Sequence, residues 1–162
     1  MAEKPRAGVF VDVQNIYYTT QNVFGRKFNY RALWSKLDAE FDIVTAYAYA
    51  IDRGDPQQQK FQGALGHIGF EVKLKPWIKR ADGSAKGDWD VGITIDVLEE
   101  ARHLDAVILL SGDGDFDLLI NRVKERFNIT AEVYGVREMT ASSLINAASL
   151  YHPITEALLL ES

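Results

Sequence analysis

The sequence predicts an α/β fold: a mainly parallel sheet with helices packed on both of its faces. Three observations carry that expectation. Strand-like segments recur at 7–13, 43–51, 70–74, 106–110 and 129–136, mostly apolar with β-branched residues. Segments with helical spacing separate them. Parallel neighbours require right-handed crossovers, and an intervening helix supplies each one.

Each element has its own justification. Residues 7–13 form an apolar run of Val and Phe ended by Gln14-Asn15, a buried strand followed by a turn. Leu33, Trp34 and Leu37 stand at helical spacing within 30–40, and 43–51 returns to apolar and aromatic character: a helix, then a second strand. Pro56 suits the first turn of a helix running to Ile68, with Phe61, Ala64, Leu65 and Ile68 on one face and Gly69 near its end. Residues 70–74 make a third strand. Pro, Gly, Ser and Asp between 76 and 87 predict a loop, with a brief extended piece at Trp77 and Ile78. In the next helix Val91, Ile95, Leu98 and Ala101 form the apolar stripe, and Asp88 is the candidate N-cap. Residues 106–110 are the fourth strand, Ser111-Gly112-Asp113-Gly114 its turn, 116–127 an amphipathic helix and 129–136 the fifth strand. The tail 140–160 reads as helical, broken at Pro153, with Leu158-Leu159-Leu160 packing on the domain or on a second subunit as a homodimer contact.

Composition sets limits on function. With 162 residues, 47% hydrophobic and 25% charged, the chain fits one domain spanning 1–162, with a core at about 7–151 and a helical tail at 152–162. A chain of this length buries roughly 70% of its unfolded surface, so folding requires neither disulfide nor structural metal. Cysteine is absent, which excludes a disulfide framework, a thiolate zinc site and a cysteine nucleophile. The start has no apolar signal region, and no run approaches the ~20 apolar residues that span a bilayer, so a cytoplasmic protein with no membrane partner is expected. A net charge of -5 has the wrong sign for gripping nucleic acid through bulk charge. Such binding needs a local patch, and Lys73, Lys75, Lys79, Arg80 and Lys86 supply one, unless they form a solvated strand edge.

Ligands of open parallel sheets bind beyond the carboxyl ends of the strands, where strand order reverses. Asp12 and Asn15 follow the first strand, and Ser111, Asp113, Asp115 and Asp117 follow the fourth. Asp88 and Asp90 open the long helix. Acidic groups converging on one edge repel unless protons or a cation neutralise them, and Mg²⁺ or Mn²⁺ is the hard cation that carboxylate oxygens favour. Singly, several have ordinary roles: Asn15, Asp88 and Asp113 as N-caps, Asp90 and Asp115 as first-turn residues favoured by the helix dipole. Asp12 is different, because a carboxylate within Val9-Phe10-Val11-Asp12-Val13 is costly to bury without a partner. Asp96 is six residues beyond Asp90, on another helix face, and stands outside the set. A calcium loop is excluded by Leu118 and Lys124 where Gly and Glu are needed, and no phosphate-cradling loop or nucleophile elbow occurs.

Val11-Asp12-x-x-Asn15, Lys86-Gly87 with Asp90-Val91, and Ser111-Gly112-Asp113-x-Asp115-Phe116 resemble the three signatures of the NYN domain, LabA-like branch, among the PIN-like nucleases. The resemblance runs from about Gly8 to Tyr151. It implies a three-layer α/β/α, PIN-like (Rossmann-like) fold with five strands ordered 3-2-1-4-5. It further implies Mg²⁺ or Mn²⁺ on Asp12, Asp90, Asp113 and Asp115, and RNA cleavage. Val13 stands where relatives often carry Gly, and Ser149 where an Asp is common.

A metal on clustered aspartates is chemically sufficient for phosphodiester hydrolysis without His or Cys. In that reading Asp12 and Asp113 hold the ion, Asp90 and Asp115 add ligands or position water, and Asn15, Ser111, Asp88 and Asp117 orient the carboxylates. Arg53, Lys79, Arg80 and Lys86 are the candidates to meet phosphates of single-stranded RNA. A non-catalytic interaction module and a metal-dependent phosphatase or nucleotide hydrolase are the alternatives.

Overall fold

Alternation along two adjacent strands decides the layering. Strand β1 (Arg6–Asp12) sends Val9 and Val11 to one face and Phe10 to the other. Strand β6 (Ala106–Leu110) does the same with Ile108 and Leu110 against Val107 and Leu109. All seven side chains are wholly buried, so both strands are covered on both faces, as parallel sheets require. The structure is a computed structural model that describes residues 3–76, 78–79, 85–86 and 88–161.

Around this pair, β2 (Asp42–Asp52), β3 (Glu71–Pro76), β7 (Thr130–Gly135) and β8 (Leu150–Pro153) complete a six-stranded sheet ordered β3-β2-β1-β6-β7-β8. Every pairing in it is parallel. This is the expected order with one more strand at the edge. Helices α1 (Val13–Phe24), α2 (Tyr30–Glu40) and α3 (Pro56–Ile68) cover one face through Ile16, Leu33, Leu37 and Leu65. Helices α4 (Asp90–Glu100), α5 (Asp117–Phe127) and α6 (Ser142–Ala147) cover the other through Ile93, Val97, Ile120, Val123 and Leu144. A small antiparallel hairpin, β4 (Ile78–Lys79) with β5 (Ala85–Lys86), follows β3 and so leaves the sheet at its carboxyl edge.

The structure corrects the sequence reading in four places. Gln14-Asn15 is not a turn but the start of α1, which Asp12 caps by accepting from Asn15 N–H and which Gly25 ends at φ 64. Within α1, Thr19 and Thr20 satisfy their hydroxyls on carbonyls of Asn15 and Ile16 one turn back, and the helix accommodates these β-branched residues.

The expected apolar stripe of α4 holds only in its second half: Leu98 packs on the core and Ala101, just past the helix end, is buried, but Val91 is 70% and Ile95 50% exposed, and Ile93 and Val97 are buried instead. Its inward side also carries carboxylates, because Asp96 accepts from Tyr49 Oη at 2.8 Å and Glu100 meets the hydroxyls of Tyr47 and Thr45. An apolar count overlooks such a polar contact. Asp88 is not the N-cap of α4; Trp89 occupies that position without a side-chain cap bond.

Beyond α6 the tail is not α-helical: it holds a strand and one 3-10 turn, Glu156–Leu158. Leu150–Pro153 pairs with β7, where Tyr151 Oη donates to Gly135 O at 3.0 Å and His152 stacks on Tyr134 at 4.4 Å. Pro153 ends an edge strand, where its missing N–H costs no ladder bond. Leu158 and Leu159 are buried against the chain's own core, with Asn29 N–H donating to Leu158 O and Leu159 bridging Phe28. Leu158 and Leu159 thus pack on their own domain, whereas Leu160 is exposed. Among the described residues no helix is long and apolar enough to cross a membrane.

Candidate metal centre

Strand order reverses between β1 and β6, and the acidic residues stand at the carboxyl ends of that pair. Asp12 is the last residue of β1 and only 9% exposed. Its Oδ2 accepts from Ser111 Oγ at 3.1 Å, and its Oδ1 accepts from Asn15 N–H at 3.4 Å. Burial pushes its carboxyl up to about 6, against the lowering effect of those two bonds, and the charges of Asp113 and Asp88 add to the rise.

The turn after β6 is locked from both sides. Asn15 Oδ1 accepts from Gly112 N–H at 2.9 Å, and Ser111 Oγ accepts from Asp113 N–H at 3.1 Å. Asp113 in turn accepts from Asp115 N–H at 2.9 Å, capping the short 3-10 turn Gly114–Phe116 that leads into α5. Carboxylate oxygens of Asp90, Asp113 and Asp115 thereby come within 4.8 Å of one another. Asp90 is held up to about 7, first by burial, then by a hydrogen bond with Asp113 that needs a shared proton, then by the charges of Asp113, Asp12 and Asp88. Two carboxylates sharing a proton mark negative charge that the protein alone leaves uncompensated.

Of the residues chosen from sequence, Asp90, Asp113 and Asp115 form this cluster. Asp12 lies beside it, facing Ser111. Asn15 and Ser111 hold the carboxylate-bearing segments, as described. Asp88 Oδ1 accepts from Asp90 N–H at 3.3 Å, whereas Asp117 opens α5 and is not in the trio. Arg53 lies beyond β2, its N–H bonded to Gln58 Oε1 at 2.8 Å. The side chains of Lys79 and Lys86, and Arg80 altogether, lie outside the described residues. Two members of the basic patch are engaged elsewhere: Lys73 Nζ bonds Asp96 at 2.7 Å above the Tyr47 ring, and Lys75 Nζ donates to Asp88 O at 3.2 Å over the Trp89 ring. Ser149 sits at the amino end of β7, its Oγ accepting from Ala131 N–H, at the opposite end of the strands from Asp113.

Sequence reasoning missed Trp89 and a cleft. Trp89 Nε1 donates to Ala50 O at 2.9 Å and its ring packs on Tyr49, which pins the Asp88–Asp90 segment to the end of β2. Gly92 leaves room for that indole, since a Cβ there would lie 2.6 Å from it. The cleft, of about 370 Å³, opens between α1, the end of β2 and α3. Reading α1 as a turn hid it, although Val13, Ile16 and Thr20 at helical spacing carried the signal.

A parallel α/β/α sheet with acidic groups at its switch point defines the class: a PIN-like fold. The NYN domain model matches residues 6–156, and the chain belongs to the NYN domain family, within the PIN-like nuclease superfamily. It is 32% identical to low amplitude and bright protein LabA of Synechococcus elongatus, covering 93% of this chain and 85% of that protein. The crystal structure of a Vibrio parahaemolyticus protein of unknown function superposes with a TM-score of 0.94 at 47% identity, covering 99% of both chains.

Proposed function

We propose that the protein is a divalent-metal-dependent ribonuclease that hydrolyses phosphodiester bonds of single-stranded RNA. The observation that carries this reading is the approach of the Asp90, Asp113 and Asp115 carboxylates to within 4.8 Å, with Asp90 held up to about 7. A set of hard oxygen donors with uncompensated negative charge fits Mg²⁺ or Mn²⁺. When bound, such an ion lowers the pKa of water and neutralises charge on a phosphodiester.

Asp113, fixed by the Ser111 and Asp115 bonds, and Asp90 and Asp115 beside it are the residues to hold the ion. Asp12, buried and oriented by Ser111 Oγ, contributes either a further ligand or a proton acceptor at the same edge. Asp88 orients the Asp90 backbone. Lys79, Arg80, Lys86 and Arg53 are the cations to meet phosphates. Lys79 and Lys86 belong to the hairpin that leaves the sheet at the edge where the acids gather.

The test is cleavage of labelled single-stranded RNA by purified protein with Mn²⁺, with Asp113→Asn as control and nucleotides assayed in parallel. Metal-dependent RNA cleavage lost in Asp113→Asn is the expected result. Hydrolysis of nucleotides alone would replace this reading with a nucleotide hydrolase. Intact RNA and nucleotides, together with tight binding of a protein partner, would replace it with a recruitment module.

A further inference from the structure

The cleft beside the acidic cluster has the build of a site for one flat, amphipathic ring. Its floor is apolar and rigid: Tyr30 is 7% exposed and meets Phe28 and Phe61 edge to face, at ring separations of 4.9 and 5.7 Å. At the rim the α1 residue Tyr17 is 57% exposed, a ring that contributes to no buried core and remains available for stacking. Lys27 and Arg53 stand on the same rim.

The cleft adjoins the end of β1, where Asp12 stands. Val13, in its wall, directly follows Asp12, and Ala50 and Ile51 lie at the end of β2 next to the register pair Asp12 and Tyr49. Of the other polar groups there, Asp55 caps α3 by accepting from Gln57 N–H, and Gln58 closes the loop after β2 by bonding Arg53 N–H and Ile51 O. Those side chains are committed to the scaffold. Lys27, exposed beside this aromatic surface, suits a phosphate next to a base.

We propose that this cleft is a base subsite: it takes one unpaired base of the RNA strand, stacked on Tyr17, while the adjoining backbone passes to the acidic cluster. The proposal rests on the ribonuclease reading for the identity of the strand and deepens it by assigning the base contact. A volume of about 370 Å³ lies at the small end of ligand clefts, roughly 300–1,000 Å³. It accommodates a base with its sugar and not a duplex, and an unpaired base offers the free face that stacking requires.

The test measures binding separately from cleavage. In the Asp113→Asn protein with Mg²⁺, anisotropy compares a single-stranded RNA with the same backbone lacking bases. The intact strand is expected to bind roughly ten-fold more tightly or better, the scale of base–aromatic stacking. Tyr17→Ala should erase that preference without lowering the melting temperature, Tyr17→Phe should keep it, and Lys27→Glu should weaken both strands alike. A Tyr17→Ala protein that discriminates as well as its parent overturns the proposal, as does equal binding of the two strands or of neither. Cleavage of RNA by the native protein with Mn²⁺, combined with an indifferent Tyr17→Ala, would remove the subsite and leave the nuclease. A base preference lost in Tyr17→Ala without any cleavage would keep the subsite and remove the nuclease.

Discussion

Ser111 Oγ donates to Asp12 Oδ2 across 3.1 Å, joining the carboxyl ends of β1 and β6 through residues 99 positions apart. The same hydroxyl accepts from Asp113 N–H, so one buried side chain sets two of the acidic residues. Ser111→Ala removes both bonds at a fully buried position. The expected loss is about 1–2 kcal/mol of stability, and about ten-fold or more in Mn²⁺ affinity through the released carboxylates. Urea unfolding and calorimetric titration at neutral pH read the two effects; an unaltered Mn²⁺ affinity would remove Ser111 from the site.

Protonation gives the second expectation. The carboxyls of Asp12 and Asp90 are raised from 3.8 to about 6 and about 7. The folded state therefore binds their protons more tightly than the unfolded chain. Their stabilising contribution is fully present below 3.8 and is lost as pH rises through about 6 to 7. Metal-free protein should accordingly be less stable and melt lower at about pH 8 than at about pH 5, with buried Asp12 contributing on the order of 1–1.5 kcal/mol to the difference. Asp90→Asn should flatten the profile. Mn²⁺ should raise the melting temperature most at the alkaline end, where no proton competes. Asp113→Asn should lose that response while its metal-free form is equally or more stable. A scan in chelator and in Mn²⁺ decides, and a response retained in Asp113→Asn would refute the assignment.

The fold was legible in the sequence because the strands that set it, such as Val9-Phe10-Val11 and Val107-Ile108-Leu109, are apolar on both faces and interrupted by unmistakable helices. Asp12 and Asp113 were legible for a related reason: Asp12 ends such a strand, and Asp113 stands in the turn that follows one. What escaped depends on tertiary partners. The inward carboxylates of α4 only make sense once Tyr49 and Lys73 face Asp96. The edge strand at Leu150–Pro153 exists because β7 offers it an open ladder. Lys73 looked like a phosphate contact until its 2.7 Å partner was in view.

That pair separates two roles for lysine. Lys73 holds Asp96, which also accepts from Tyr49 Oη, so Lys73→Met should lower stability through a half-paired carboxylate and leave the salt dependence of RNA binding unchanged. Lys79→Ala with Lys86→Ala should leave stability unchanged and flatten the salt slope by roughly 1.4 on single strands. Binding isotherms across salt concentrations distinguish them. A flattened slope in Lys73→Met would return that residue to the RNA surface.

The last expectation concerns the turn that carries Asp113. A Cβ on Gly112 would lie 2.6 Å from Met139 O and 3.2 Å from Thr140 Oγ1, and the nearer atom is backbone that cannot swing aside. Gly112 is also held on both sides, its N–H donating to Asn15 Oδ1 at 2.9 Å and its O accepting from Ala141 N–H at 3.1 Å. Gly112→Ala must therefore push the turn off Asn15 or off the 139–141 segment, and either movement carries Asp113 away from Asp90. Overpacking of this kind costs about 1–3 kcal/mol, whereas misplacement of a reacting group by ~1 Å costs about 100-fold in rate. A stability loss of that size leaves most of the protein folded, so the fall in activity should exceed what unfolding accounts for. Gly63→Ala is the control, because nothing stands within 4 Å of its added methyl in the middle of α3, and helix propensity should make it more stable by about 0.5–1 kcal/mol. Urea midpoints and turnover on single-stranded RNA read the two variants side by side. A Gly112→Ala protein as active as Gly63→Ala would show that the placement of Asp113 does not govern the chemistry at this edge.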